Sequence, residues 1–228
     1  MANRDKRRYG MLNRELVNET EKFLKQKFDA AIYLNNHPED KAYRIEHSYR
    51  VANIGRVIAK REGFDETEMV IACLLHDIAY CEEFGENGWK EHGRRSAQIA
   101  RPFLKELGIP EERIHDICYG IAIHVDEKAD FPGENTPFAL SVGDADNIDR
   151  FDAYRIHETL SRDSFLEMSM EEKSEYLEKR LSRLRELKKV PFGTKTADAL
   201  WQDRLDFNIL FFQRLAEQLE QSNSVLDE

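Results

Sequence analysis

An all-α fold is what this sequence predicts, and three observations carry the prediction. Glycine and proline are sparse, 11 and 6 in 228 residues, so few points force a turn. Apolar residues recur every three or four positions over long stretches, the period of a helix with one buried face. No run alternates apolar and polar residues as a half-buried strand does, and no internal repeat is present.

Taken in order, residues 12–34 read as a helix, with Leu12, Leu16, Phe23, Leu24, Phe28 and Ile32 toward one side. Residues 35–40, NNHPED, read as a loop. Residues 42–62 return to the helical period and stop at Gly63, and Asp65 is a candidate N-cap for the next helix. The run 69–80, MVIACLLHDIAY, is apolar almost all round, as in a buried helix. Residues 82–90 are loop-like. Residues 91–107 are amphipathic and end at Gly108, with Pro110 beyond. Residues 111–125 form another helix, 126–137 a loop and 138–160 a further helix. The remainder, 165–220, is charged, amphipathic and broken at 188–194. This suggests an N-terminal helical segment (1–40), a core (41–160) and C-terminal helices packed on it (161–228). The stretch 204–219, RLDFNILFFQRLAEQL, is apolar enough that packing on the core and pairing in a homodimer are both open readings.

Composition limits the function. Hydrophobic residues make up 41% and charged residues 34%, the balance of a globular chain. A net charge of −10 argues against a duplex nucleic-acid partner, which calls for a basic face. It leaves room for a small anionic substrate, because a bound metal supplies local positive charge. Cys73, Cys81 and Cys118 are too few for a disulfide framework and read as small hydrophobes of a reducing compartment. The first ten residues are basic, but no apolar segment comes after them, and no window reaches the ~18 apolar residues of a membrane span. The expectation is a cytoplasmic protein with no membrane partner.

The chemistry lies in where polar residues fall on the apolar stripes. His47 aligns with Val51, Ile54 and Ile58; His76 with Met69, Cys73 and Tyr80; His92 with Ser96, Ile99 and Phe103; His124 with Ile114, Ile117 and Ile121. One histidine on an apolar face is ordinarily a satisfied core residue, but four on separate helices suggest convergence. Asp77 sits beside His76 in the most apolar helix, with no Lys or Arg nearby on that helix. A buried carboxylate needs a cation or becomes neutral. Imidazole and carboxylate together suit a divalent transition metal: Fe, Mn, Co, Ni or Zn, as one or two ions.

His47, then His76-Asp77 within LLHDIA, then the aspartates of GDADNID resemble the H…HD…D signature of the HD-domain phosphohydrolases over about residues 42–160. With His92 and His124 the order becomes H…HD…H…H…D, similar to members that hold two metals. The resemblance implies His47, His76, Asp77, His92, His124 and Asp146 as metal ligands, with Asp77 bridging. Asp144 and Asp146 compete for the last place: helical alignment with Leu140, Ile148 and Phe151 favours Asp144, and the family pattern favours Asp146. Asp144 is then a water-orienting group that takes a proton, so Asp77 and Asp144 are the catalytic candidates. Asp149 and Asp152 read as solvated or paired helix residues. For the substrate anion the candidates are Lys128, which resembles an anion-binding lysine of oxygenase-like members, and Arg95 and Arg150, with Arg94 beside them. Trp89 precedes His92 and reads either as a cover over the substrate or as a core anchor. Tyr80 stands where many cyclic-dinucleotide phosphodiesterases of this superfamily have lysine, and a GYP motif is absent, which turns the expectation toward a small nucleotide or phosphomonoester. A dinuclear-iron oxygenase and a non-catalytic metal- or nucleotide-binding module are the other readings.

Overall fold

In the computed structural model, residues 12–84 and 88–222 are described, and among them every regular element is a helix. The basic N-terminal stretch lies outside the described residues, as do 85–87 of the loop before His92. The chain forms two compact units that divide between Asp146 and Asn147. None of the described helices is long and apolar enough to cross a membrane.

The first unit holds α1 (Arg14–Ala30), α2 (Ile32–Asn35), α3 (Pro38–Glu62), α4 (Glu66–Leu75), α5 (His92–Glu106), α6 (Glu111–Ile123) and the start of α7 (Pro137–Arg150). Asn13 caps α1, its side chain accepting from the amides of Glu15 and Leu16 while its own amide donates to Thr67 Oγ1 at 2.9 Å. Asp65 caps α4 through the Glu68 amide. Gly63 ends α3 at φ 77°, a left-handed value that suits glycine. The expected 12–34 helix breaks at Ala31, which is extended. The expected loop 35–40 is cut short because Pro38 starts α3: its fixed φ suits a first helical position, and Glu39 and Asp40 come next in the first turn.

α4 is buried on all sides, as its composition demands, with Met69 to Leu75 all inaccessible to solvent or nearly so. It runs between α3, α1 and α6. Gly55 of α3 lets the two backbones approach: a Cβ there would lie 2.5 Å from Cys73 Sγ. Gly120 of α6 performs the same service against α7, where a Cβ would meet Ala139 and Val142.

The second unit takes the end of α7 together with α8 (Ala153–Arg162), α9 (Met170–Leu187) and α10 (Lys195–Glu220). The expected 138–160 helix is two, because Asp152 is extended and caps α8 through the Ala153 amide. Asp152 also pairs with Arg204 at 2.6 Å, while Asp149 is buried. A capping box starts α9: Ser169 and Glu172 each accept from the other's amide. α9 and α10 form an antiparallel hairpin whose turn is closed by Trp201, buried between Phe192 and Phe151, its Nε1 donating to Leu187 O at 3.1 Å.

Candidate metal centre

The expected 69–80 helix stops at Leu75, and the break builds the site. In a continuous helix the Asp77 amide would bond to Cys73 O and the Ala79 amide to Leu75 O. Here His76 Nδ1 lies 2.7 Å from Cys73 O, and the Ala79 amide donates to Ser96 Oγ at 3.1 Å. Asp77 leaves the helix at φ −104°, ψ 11°, and the chain continues as a 3₁₀ turn over Ile78–Cys81. Adjacent side chains on a helix point about 100° apart. After the break they do not: His76 Nε2 and Asp77 Oδ1 lie 3.7 Å from each other.

The same device recurs twice. His124 comes just after the last turn of α6 and puts Nδ1 2.7 Å from Ile121 O; His92 opens α5 and puts Nδ1 on Trp89 O. A carbonyl only accepts, so each Nδ1 carries a proton, and a ring with no second proton presents its Nε2 lone pair inward. The chain then holds His92 Nε2 and His124 Nε2 at 3.0 Å from each other, face to face. Asp77 Oδ1 is 3.0 Å from His92 Nε2 and 3.6 Å from His124 Nε2. On the other side His47 Nε2 is 3.3 Å from His76 Nε2 and 3.1 Å from Asp146 Oδ1, and His76 Nε2 is 3.8 Å from Asp146 Oδ1.

Two overlapping groups could hold a metal ion: His47, His76 and Asp146, and His76, Asp77 and His124. The donor set fits. Donors at about 2.1 Å from one ion stand about 3.0 Å apart at octahedral and about 3.4 Å at tetrahedral edges, a range that takes in the pairs at 3.0, 3.1 and 3.3 Å, while those at 3.6 to 3.8 Å are slightly wider. All six side chains are buried. Glycines set the approach of the elements that carry them. A Cβ on Gly93 would lie 2.7 Å from Ala122 O and 3.1 Å from His124 Nδ1, and one on Gly143 would lie 3.0 Å from His124 O.

Electrostatics reflect this packing. Burial pushes the His76 ring down to about 4, only partly opposed by Asp77, so it is neutral and free to donate its lone pair. Burial alone would raise the Asp77 carboxyl, but His76, His124 and His92 hold it well below the usual carboxylate range. Burial opposes charge on His124 too, yet its contact with Asp77 raises its pKa.

Of the sequence candidates, His47, His76, Asp77, His92, His124 and Asp146 come together; Asp144 is buried in the same turn of α7 as Asp146. Arg95 is committed to Glu82 on an exposed face, Arg94 to Asp126, and Lys128 and Arg150 are exposed. Trp89 is half exposed, not a core anchor, and its carbonyl orients His92. The residue that sequence reasoning missed is Arg44. Its Nη1 donates to Asp77 Oδ2 at 3.0 Å and its guanidinium lies 3.4 Å from the centre of the Tyr80 ring, whose carbonyl accepts from Tyr33 Oη. The cation sought for Asp77 on its own helix comes from α3, three residues before His47. That one-turn spacing was the available signal. Arg44 takes Oδ2 only, so Oδ1 still faces the histidines.

Residues 44–154 match the family model of the HD domain. The structure is similar to the crystal structure of a predicted HD superfamily hydrolase from an uncultured Thermotogales bacterium, with a TM-score of 0.61 and 24% identity over 88% of this chain and 91% of that one. At that identity the likeness speaks for the fold. No curated protein matches.

Proposed function

Since residues 44–154 match the HD domain, we propose that the chain is a metal-dependent phosphohydrolase acting on a small phosphate ester, a nucleotide being one such substrate. The observation that carries the reading is the confrontation of His92 Nε2 and His124 Nε2 at 3.0 Å, each with its Nδ1 proton spent on a carbonyl. Two lone pairs so placed repel unless a proton or a metal cation lies between them. The donors that would hold a divalent transition metal, as one ion or two, are His47, His76 and Asp146 on one side and His92 and His124 on the other, with Asp77 between. When bound, such a metal polarises phosphate oxygens and acidifies water at neutral pH.

The protein's own groups do the rest. Asp77 keeps a negative charge beside four imidazoles because Arg44 and the histidines stabilise it. Arg44, braced on Tyr80 and Asp77, is the donor assigned to a phosphate oxygen; the Glu82 pairing of Arg95 makes that side chain a poorer candidate. Asp144 is the group assigned to accept a proton from the attacking water. Burial of all six donors excludes bulk water, so each charge acts at short range in a low dielectric.

The test is elemental analysis of protein purified without chelators, wild type beside Asp77→Ala, and then a phosphate-release screen with Mn and Fe. Stoichiometric metal in the wild type, its loss in the variant and metal-dependent phosphate release are expected. A wild type that takes up no metal even on reconstitution defeats the reading. The same donors suit a dinuclear-iron oxygenase, which an iron requirement with oxygen consumption and no phosphate release would identify.

A further inference from the structure

The break after α4 needs a new donor for Cys73 O and a new acceptor for the Ala79 amide. His76 fills one role by taking Cys73 O, a contact within its own turn. The other comes from outside: Ser96 Oγ, on α5, accepts the Ala79 amide at 3.1 Å. Ser96 is fully buried and sits one turn after His92, on the same face of α5. A single side chain therefore joins the backbone turn that aims Asp77 to the helix that carries His92, whose Nε2 is 3.0 Å from Asp77 Oδ1. Ser48, equally buried and next to His47, makes no such link; its hydroxyl donates to Arg44 O in its own helix.

We infer that Ser96 is a positioning residue of the metal centre, which fixes the exit of the chain after His76 and so the separation of Asp77 from His92. The inference rests on the metal reading proposed for this site. Without the Ser96 oxygen the Ala79 amide has no partner in a buried setting, and the turn gains by relaxing toward the helix, where Leu75 O would accept. That relaxation swings Asp77 away from His76 and His92.

The experiment is titration of the full chain with Co²⁺, read by the visible absorption of the bound ion, on wild type, Ser96→Ala, Ser96→Thr and Ser48→Ala. Amide exchange at Ala79 is measured in the same proteins without metal. Ser96→Ala is expected to bind Co²⁺ about 10- to 100-fold more weakly with an altered spectrum, the usual effect of removing a group that orients a ligand, and to lose protection at Ala79. Ser96→Thr, which keeps the oxygen, restores both, and Ser48→Ala behaves as wild type. Should Ser96→Ala not fold, Ser96→Cys replaces it, near in size with a poorer acceptor. Wild-type affinity and spectrum in the folded Ser96 variant overturn the inference alone, as does an equal loss in Ser48→Ala. A wild type with no cobalt spectrum overturns the metal reading and this inference with it.

Discussion

Gly93→Ala should damage the site more than the fold. The added Cβ would lie 2.7 Å from Ala122 O and 3.1 Å from both Ile121 O and His124 Nδ1. An ordinary contact begins near 3.4 Å, so the first turn of α5 and the last turn of α6 must part by about 0.7 Å. None of the obstructing atoms is the end of a flexible chain: two are backbone carbonyls, and the third is the ring that Ile121 O holds in place. The movement falls on the pair His92 Nε2 and His124 Nε2, now 3.0 Å apart. Metal ligands tolerate only about 0.2 Å, so the displacement is more than three times what the site can absorb. Overpacking of this kind costs about 1–3 kcal/mol of stability, and metal affinity should fall by about 10- to 100-fold. Gly108→Ala is the comparator. Gly108 has φ 72° with nothing near its Cβ position, so alanine there costs about 1 kcal/mol of strain and leaves the site alone. Calorimetric Mn²⁺ titration with thermal melts of both variants checks this. Wild-type affinity in Gly93→Ala, or equal losses in the two, would refute the account of how α5 and α6 set the histidine pair.

Trp201→Ala should cost about 3–5 kcal/mol, because it empties the space between Phe151 and Phe192 and leaves Leu187 O without its donor; urea unfolding monitored by circular dichroism measures it, and a loss below about 1 kcal/mol would contradict the packing described. Burial raises the Cys73 thiol and brings Cys118 up to about 11, so at pH 8 a maleimide should label Cys81, which is partly accessible, long before the other two, and all three once urea is added; mass spectrometry reads the order. Tyr176 is raised to about 12, first by burial and then by its bond to Asp163, from an unfolded value near 10. Its folded form binds the proton more tightly, so this contribution is intact below pH 10 and fades between pH 10 and about 12. Tyr176→Phe should therefore flatten the loss of stability across that window in urea titrations, and an unchanged slope would count against the assignment.

The fold class and the histidines were legible because burial leaves a periodic trace. His47, His92 and His124 each stand on an apolar stripe, and each is buried. What periodicity could not show was where helices break in favour of a side chain. The stretch 69–80 reads as one helix because its residues are apolar throughout, and nothing in that run announces that His76 takes the Cys73 carbonyl for its own ring. Breaks at Ala31 and Asp152 were missed for a similar cause: both lie within stretches whose apolar period continues across them. Arg44 is not legible from the helix of Asp77, because a buried charge is balanced in space and not along the chain.

Arg44 changes where the demand for a metal lies. From sequence, Asp77 alone calls for a cation, and Arg44 meets part of that demand at Oδ2. The unmet part belongs to the imidazoles. A guanidinium can neutralise a carboxylate, but it cannot relieve two Nε2 lone pairs 3.0 Å apart, since Arg44 points at the far oxygen. One proton shared between His92 and His124 would relieve that pair and leave His76, neutral with its pKa at about 4, facing Asp146 and His47. The chain spends three backbone carbonyls, on Cys73, Trp89 and Ile121, to turn three lone pairs toward one place. A protein core gains nothing from that arrangement by itself. A cation with several empty coordination positions gives it a purpose, and stability that rises on adding the metal is the thermodynamic form of that statement.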